Sequence, residues 1–159
     1  REFIWCIYMN FGRILKEIRT YELNTQEDVA KILGISKKTY GLYEIQIKTI
    51  PLKHLNVFCN YFGISLDYFF KFNKERNYNH SKMEIDYETI GIKLKEFRKE
   101  NKLTQEEMLD KTGWDRSTLS KYESGKNTII TDFLYTICKK YNISADYLLG
   151  KIDEPKYLN

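Results

Sequence analysis

The chain has 159 residues, 42% hydrophobic, 30% charged and 15% aromatic, with a formal net charge of +4. That length suits one ordinary domain or two small ones, and an ample apolar share with only 8 Gly and 2 Pro excludes collagen-like and Pro-rich disordered classes. No apolar run reaches the ~18 residues of a membrane span, and three cysteines (Cys6, Cys59, Cys138) with no CxxC pair suit a reducing compartment better than a disulfide framework.

The chain opens on a short apolar run, residues 3–9, that lacks the basic region and small-residue cleavage site of a signal peptide. It reads as a leader ahead of a start at Met9, or as a segment packing on a neighbour. From residue 11 onward the sequence repeats itself without a gap at an offset of 79. Gly12 meets Gly91, Leu15-Lys16-Glu17 meets Leu94-Lys95-Glu96, and Thr25-Gln26-Glu27 meets Thr104-Gln105-Glu106. Farther on, Tyr43-Glu44 meets Tyr122-Glu123, Cys59 meets Cys138, and Asp67-Tyr68 meets Asp146-Tyr147. The protein is a tandem duplication.

Each copy predicts five short helices. In copy one, Thr25 with Asp28 opens a second helix that stops at Gly34, Ser36 caps a third, and two more follow near Leu52–Phe62 and Leu66–Phe70. The polar stretch that follows predicts a linker over residues 73–86, between domains at 9–72 and 87–150. In copy two, Ile90, Leu94 and Phe97 share one face of a helix from about Tyr87 to Asn101. Thr104 with Glu107 forms a capping box for a helix ending at Gly113, Asp115 caps a third to about Ser124, and helices over Asp132–Tyr141 and Asp146–Leu149 complete the copy. Residues 150–159 read as a fraying tail.

Two short helices separated by a glycine and a cap, the second polar at its start, describe a helix-turn-helix. The strings Leu103-Thr-Gln-Glu-Glu107, Gly113 to Lys121, Tyr122-Glu-Ser-Gly125 and Ile143-Ser-Ala-Asp-Tyr-Leu-Leu149 resemble the phage-repressor (Cro/XRE-type) helix-turn-helix domain. The expected fold is therefore all-α: two tandem five-helix phage-repressor-like domains joined by a polar linker. On one face of the third helix of copy two lie Arg116, Ser117, Ser120 and Lys121, candidate readers of base edges, with Leu119 and Tyr122 on the other. The resemblance implies a phosphate contact for Gln105, and for Gln26 in copy one; Lys126 and Asn127 are further phosphate candidates. It also implies a structural salt bridge for Arg98 with Glu123 and for Arg19 with Glu44, while Tyr43, Tyr122, Cys59 and Cys138 are core candidates.

The copies differ where reading would take place. Copy one offers Lys37 and Lys38 at the positions of Arg116 and Ser117, keeping charge without the bidentate fork. Gly41 and Leu42 replace Ser120 and Lys121, and Ile45-Gln46 replaces Ser124-Gly125, so the glycine stop is gone. In copy two, Leu109 stands where copy one keeps Ala30, the small residue that lets the motif's two helices approach; this predicts a slight spreading of that pair.

The expected function is sequence-specific recognition of double-stranded DNA by a transcriptional regulator, a repressor of bacterial, phage or mobile-element origin located in the cytoplasm, with copy two the better reader. Homodimerisation is a further expectation, with Phe69-Phe70 and the N-terminal aromatics as apolar surfaces. The alternative is a protein-interaction module, antirepressor or antitoxin-like, that keeps the fold without DNA. With His54 and His80 the only histidines and no Gly-rich loop, metal-spaced cluster or activated nucleophile, no enzyme activity, cofactor, metal or small-molecule site is expected.

Overall fold

A computed structural model describes residues 9–76 and 84–159; Cys6, His80 and the aromatics ahead of Met9 lie outside them. The chain divides into two compact units with the boundary after Glu84. Domain 1 contains α1 (Phe11–Tyr21), α2 (Gln26–Leu33), α3 (Lys37–Glu44), α4 (Leu52–Phe62) and α5 (Leu66–Phe69). Domain 2 contains α6 (Tyr87–Glu100), α7 (Gln105–Met108), α8 (Arg116–Glu123), α9 (Thr131–Tyr141) and α10 (Ala145–Leu148). Among the described residues the only sheet-like pairing is one antiparallel bridge, Ile143 with Tyr157, and no helix is long and apolar enough to cross a membrane.

Local chemistry sets the helix starts. Thr25 and Thr104 each accept from the N–H three residues on, while Asp28 and Glu107 reach back to the cap N–H, forming both capping boxes. Ser36 and Asp115 cap α3 and α8 by accepting from the Thr39 and Thr118 N–H groups. In domain 1, Phe11, Phe58, Phe69 and Phe70 are at most 1% exposed and stack together. Phe69 and Phe70 are therefore core rather than the partner surface expected of them: the short α5 turns both rings inward onto α1 and α4. Cys59, Cys138, Tyr43 and Tyr122 are buried.

The first and third helices of each domain meet at a glycine. A Cβ on Gly12 would lie 2.3 Å from the Glu44 carbonyl oxygen, and one on Gly91 would lie 2.4 Å from that of Tyr122. Only glycine permits this approach of α1 to α3 and of α6 to α8.

Two expectations need correction. The second helix of domain 2 does not run to Gly113: α7 ends at Met108, and Lys111 takes φ +60°. In domain 1, Ala30 is buried within an eight-residue α2 that Gly34 closes. Leu109, with a bulkier side chain at the matching position, is also buried, and the helix stops there. Two residues of α9, with Thr112 from the segment after α7, satisfy the carbonyls released. Lys140 Nζ donates to Met108 O at 3.1 Å and Asp110 O at 2.6 Å, Tyr141 Oη donates to Met108 O at 2.9 Å, and Thr112 Oγ1 donates to Leu109 O at 2.7 Å. Burial pulls the Lys140 ammonium down from its ordinary range, partly opposed by Asp110.

The tail does not fray. The Ser144 N–H donates to Lys156 O and the Leu158 N–H to Asn142 O, both at 2.8 Å, while Ile152 is buried. Lys156 pairs with Glu100 and lies near the rings of Phe97, Tyr147 and Tyr157. These backbone bonds and the buried Ile152 outweigh the polar composition that suggested a loose end. In domain 1, Arg76, inside the segment expected as linker, pairs with Glu22 and lies over the Tyr21 ring.

Candidate nucleic-acid interface

The same network underlies the third helix in both domains, buried in domain 1 and half-buried in domain 2. Arg19 Nε and Nη2 donate to Glu44 Oε1 and Oε2 at 2.5 and 3.1 Å, and Nη1 donates to Asn24 O at 2.9 Å. At the equivalent positions Arg98 Nε and Nη2 donate to Glu123 at 2.6 and 3.0 Å, and Nη1 donates to Leu103 O at 3.0 Å. This is the bidentate fork that a planar guanidinium makes and an ammonium does not. The Glu44 hydrogen bond raises Arg19 above its ordinary pKa, and the Glu123 hydrogen bond does the same for Arg98. Burial works to raise the Glu44 carboxyl, but donors from Arg19 and Gln26 outweigh it and hold it low.

Each network extends outward through a glutamine. Gln26 Nε2 donates to Glu44 Oε2 at 2.8 Å, and Gln105 Nε2 donates to Glu123 Oε2 at 3.0 Å. In domain 2 a further link exists, because Arg116 Nε donates to Gln105 Oε1 at 3.2 Å. An unbroken relay therefore joins the half-buried Arg98–Glu123 pair through Gln105 to an exposed arginine at the start of α8. Arg116, Ser117, Ser120 and Lys121 are all exposed, and Leu119 and Tyr122 are buried. Lys126 and Asn127, in the turn after α8, are exposed as well. This face presents a fork, two hydroxyls and an ammonium, a set of donors and acceptors that matches base edges and phosphates.

Domain 1 departs from this on the same face. Lys37 and Lys38 are exposed, and the stripe continues as Gly41, Leu42 and Ile45, the last 66% exposed. Ile47, 69% exposed, follows in the turn, and its N–H donates to Leu42 O at 3.1 Å. Domain 1's exposed large apolar residues Tyr21, Leu23, Ile45, Ile47 and Tyr61 stand, at the offset of 79, opposite Glu100, Lys102, Ser124, Lys126 and Lys140. The missing glycine stop does not change the turn. Gln46 adopts the left-handed conformation at φ +60°, and its Oε1 accepts from the Gly12 N–H at 3.0 Å, capping α1. No signal in the sequence marks that contact.

Tyr40 takes the place of Leu119. It is fully buried, and its hydroxyl sits beside the Arg19–Glu44 pair without a well-formed hydrogen bond. Burial, and next the Glu44 carboxylate, push its phenol far up. Behind α3, Tyr43 Oη lies 3.1 Å from His54 Nδ1, where domain 2 stacks Tyr122 against Phe133 edge to face. Among the described residues no group of three or more His, Cys, Asp or Glu side chains is placed to hold a metal.

Comparison with known proteins places both domains. Residues 15–69 match the helix-turn-helix family, and residues 91–154 match a helix-turn-helix domain family. The chain is 39% identical over 70 residues to the antitoxin PezA of Streptococcus pneumoniae, which covers 44% of this chain and 42% of that protein. It is 38% identical over 68 residues to the transcriptional regulator ImmR of Bacillus subtilis, covering 43% and 54%. It is 35% identical over 63 residues to the uncharacterized transcriptional regulator YobD of the same organism, covering 40% and 56%. The chain thus spans about half the length of these relatives. No solved structure matches it at a significant level.

Proposed function

We propose that this protein, whose two halves both belong to the helix-turn-helix family of phage-repressor type, is a sequence-specific double-stranded-DNA-binding transcriptional regulator in which domain 2 reads the sequence. The observation that carries this reading is the relay ending at Arg116: a guanidinium steadied from behind on an exposed helix start can address guanine O6 and N7 together. Ser117, Ser120 and Lys121 extend the reading face, and Lys126 and Asn127 meet phosphate. Gln105 and Gln26 each spend one amide hydrogen on the paired carboxylate and keep the second for a phosphate oxygen. Lys37 and Lys38 add charge but little discrimination. Repression, a bacterial or phage source and a cytoplasmic location fit the same reading.

A salt titration of binding to a random duplex tests it, because each phosphate neutralised steepens the loss of affinity with salt. Against a duplex selected from random sequences, Arg116→Ala loses about 1–3 kcal/mol of discrimination, while Lys37→Ala with Lys38→Ala leaves discrimination intact. Absence of any duplex retention in dilute buffer sinks the proposal. A second reading, a protein-interaction module of the antirepressor or antitoxin kind, is favoured by the apolar residues Ile45 and Ile47 in domain 1, and would show as that absence.

A further inference from the structure

The outward face of α3 has the makeup of a helix-packing surface. Lys38, Gly41, Leu42 and Ile45 recur at helical spacing and form one stripe. Leu42 and Ile45 make a ridge, and Ile47 adjoins it through its N–H bond to Leu42 O. Beside the ridge Gly41 leaves a notch: a Cβ there would meet only Gln26 Oε1, at 3.6 Å. A ridge and a notch side by side on one face are self-complementary, since a two-fold axis sets the ridge of each copy into the notch of the other. This molecule already packs helices on a glycine, at Gly12 and Gly91.

Charge points to the same occupant and to its direction. Lys37 and Lys38 sit in the first turn of α3, where no acidic residue accompanies them and the helix dipole disfavours cations; its last turn carries no basic residue. In an antiparallel pair of α3 helices the lysines of each copy lie beside the carbonyl end of the other. In α8 the corresponding stripe is Ser117, Ser120, Lys121 and Ser124, with neither ridge nor notch.

We propose that domain 1 is the association domain, and that the chain dimerises through an isologous antiparallel α3–α3 pair built on Gly41, Leu42 and Ile45. This rests on the reading above only in leaving the DNA to domain 2. Two eight-residue helices and their turns make an interface below the standard size, so the dimer is expected to dissociate at roughly 1–100 µM.

Sedimentation equilibrium of the full chain tests this. Wild type should pass from monomer to dimer across that range, and a variant carrying residues of α8 (Gly41→Ser, Leu42→Lys, Ile45→Ser) should bind itself about 100-fold more weakly while keeping its helical circular dichroism. Lys38→Glu should stabilise α3 through its own dipole yet weaken the dimer, opposite signs that a folding defect cannot produce. A wild type that stays monomeric at about 500 µM, or a triple variant that dimerises as before, overturns the proposal. Loss of duplex binding with unchanged association in the triple variant also overturns it, because that assigns the face to DNA. Arg116→Ala should leave association untouched, so failure of the DNA reading and failure of this one remain distinct.

Discussion

Domain 1 keeps the second helix of its motif whole and gives up the polar face of the third, whereas domain 2 shortens the second helix and keeps the polar face. Beneath these opposite changes the Arg–Glu–Gln network, the capping boxes and the glycine contact recur at matching residues. A stable scaffold and the chemistry of the third helix's exposed face are therefore separate properties of this fold. The first depends on a few buried polar bonds, and the second on four or five exposed side chains that can change without disturbing it.

The shared network gives the largest expected effect. Arg19→Met strands the buried Glu44 carboxylate and should cost about 3–5 kcal/mol in domain 1, measured by thermal or denaturant unfolding, and Arg98→Met should cost domain 2 less because its pair is half-buried. The pH dependence sharpens the test for Arg19. Glu44 titrates below its ordinary value of 4.5 in the folded protein, so wild-type domain 1 keeps that contribution above 4.5 and loses it as pH falls through the folded value. With Arg19 replaced, burial raises Glu44 instead, and acidification should restore stability.

Next in size is the α9 clamp, which domain 1 lacks because Tyr61 and Phe62 occupy the positions of Lys140 and Tyr141. Lys140→Met removes the side-chain donor to Asp110 O and one of the two donors to Met108 O, and should destabilise domain 2 by about 1 kcal/mol. Domain 1 unfolding should be unchanged.

The smallest effect concerns His54, where domain 2 has Phe133. Burial, and then Lys53, hold its imidazole below the ordinary 6.5. Folding therefore favours the neutral ring, and domain 1 should weaken as pH falls from about 6.5 toward the folded value. His54→Phe should flatten that part of the melting-temperature profile.

Much of the scaffold was legible because its signals are local or doubled. A capping box is spelled within four residues, and a gapless offset marked both copies of the ion pair and of Gly12 and Gly91. The shortened α7 was not legible, since Gly113 is where a helix would stop and nothing nearby shows that Lys140, about thirty residues on, supplies the missing donors. The docking of residues 150–159 was hidden for a similar reason: their polar composition says loop, while their bonds go to backbone groups at Asn142 and Ser144. At the interface the sequence separated the faces of α8, yet it left Gln105 as a bare phosphate contact and missed its place between Glu123 and Arg116.

The contact at Gly91 has a mechanical consequence. With no side chain between them, the backbone of α6 rests directly on the carbonyl end of α8, so the two helices tilt as one lever. Under the DNA reading proposed for domain 2, a helix braced in this way has little freedom to adjust its angle in a groove, and the cost of a poor fit falls on the bending and twisting of the duplex.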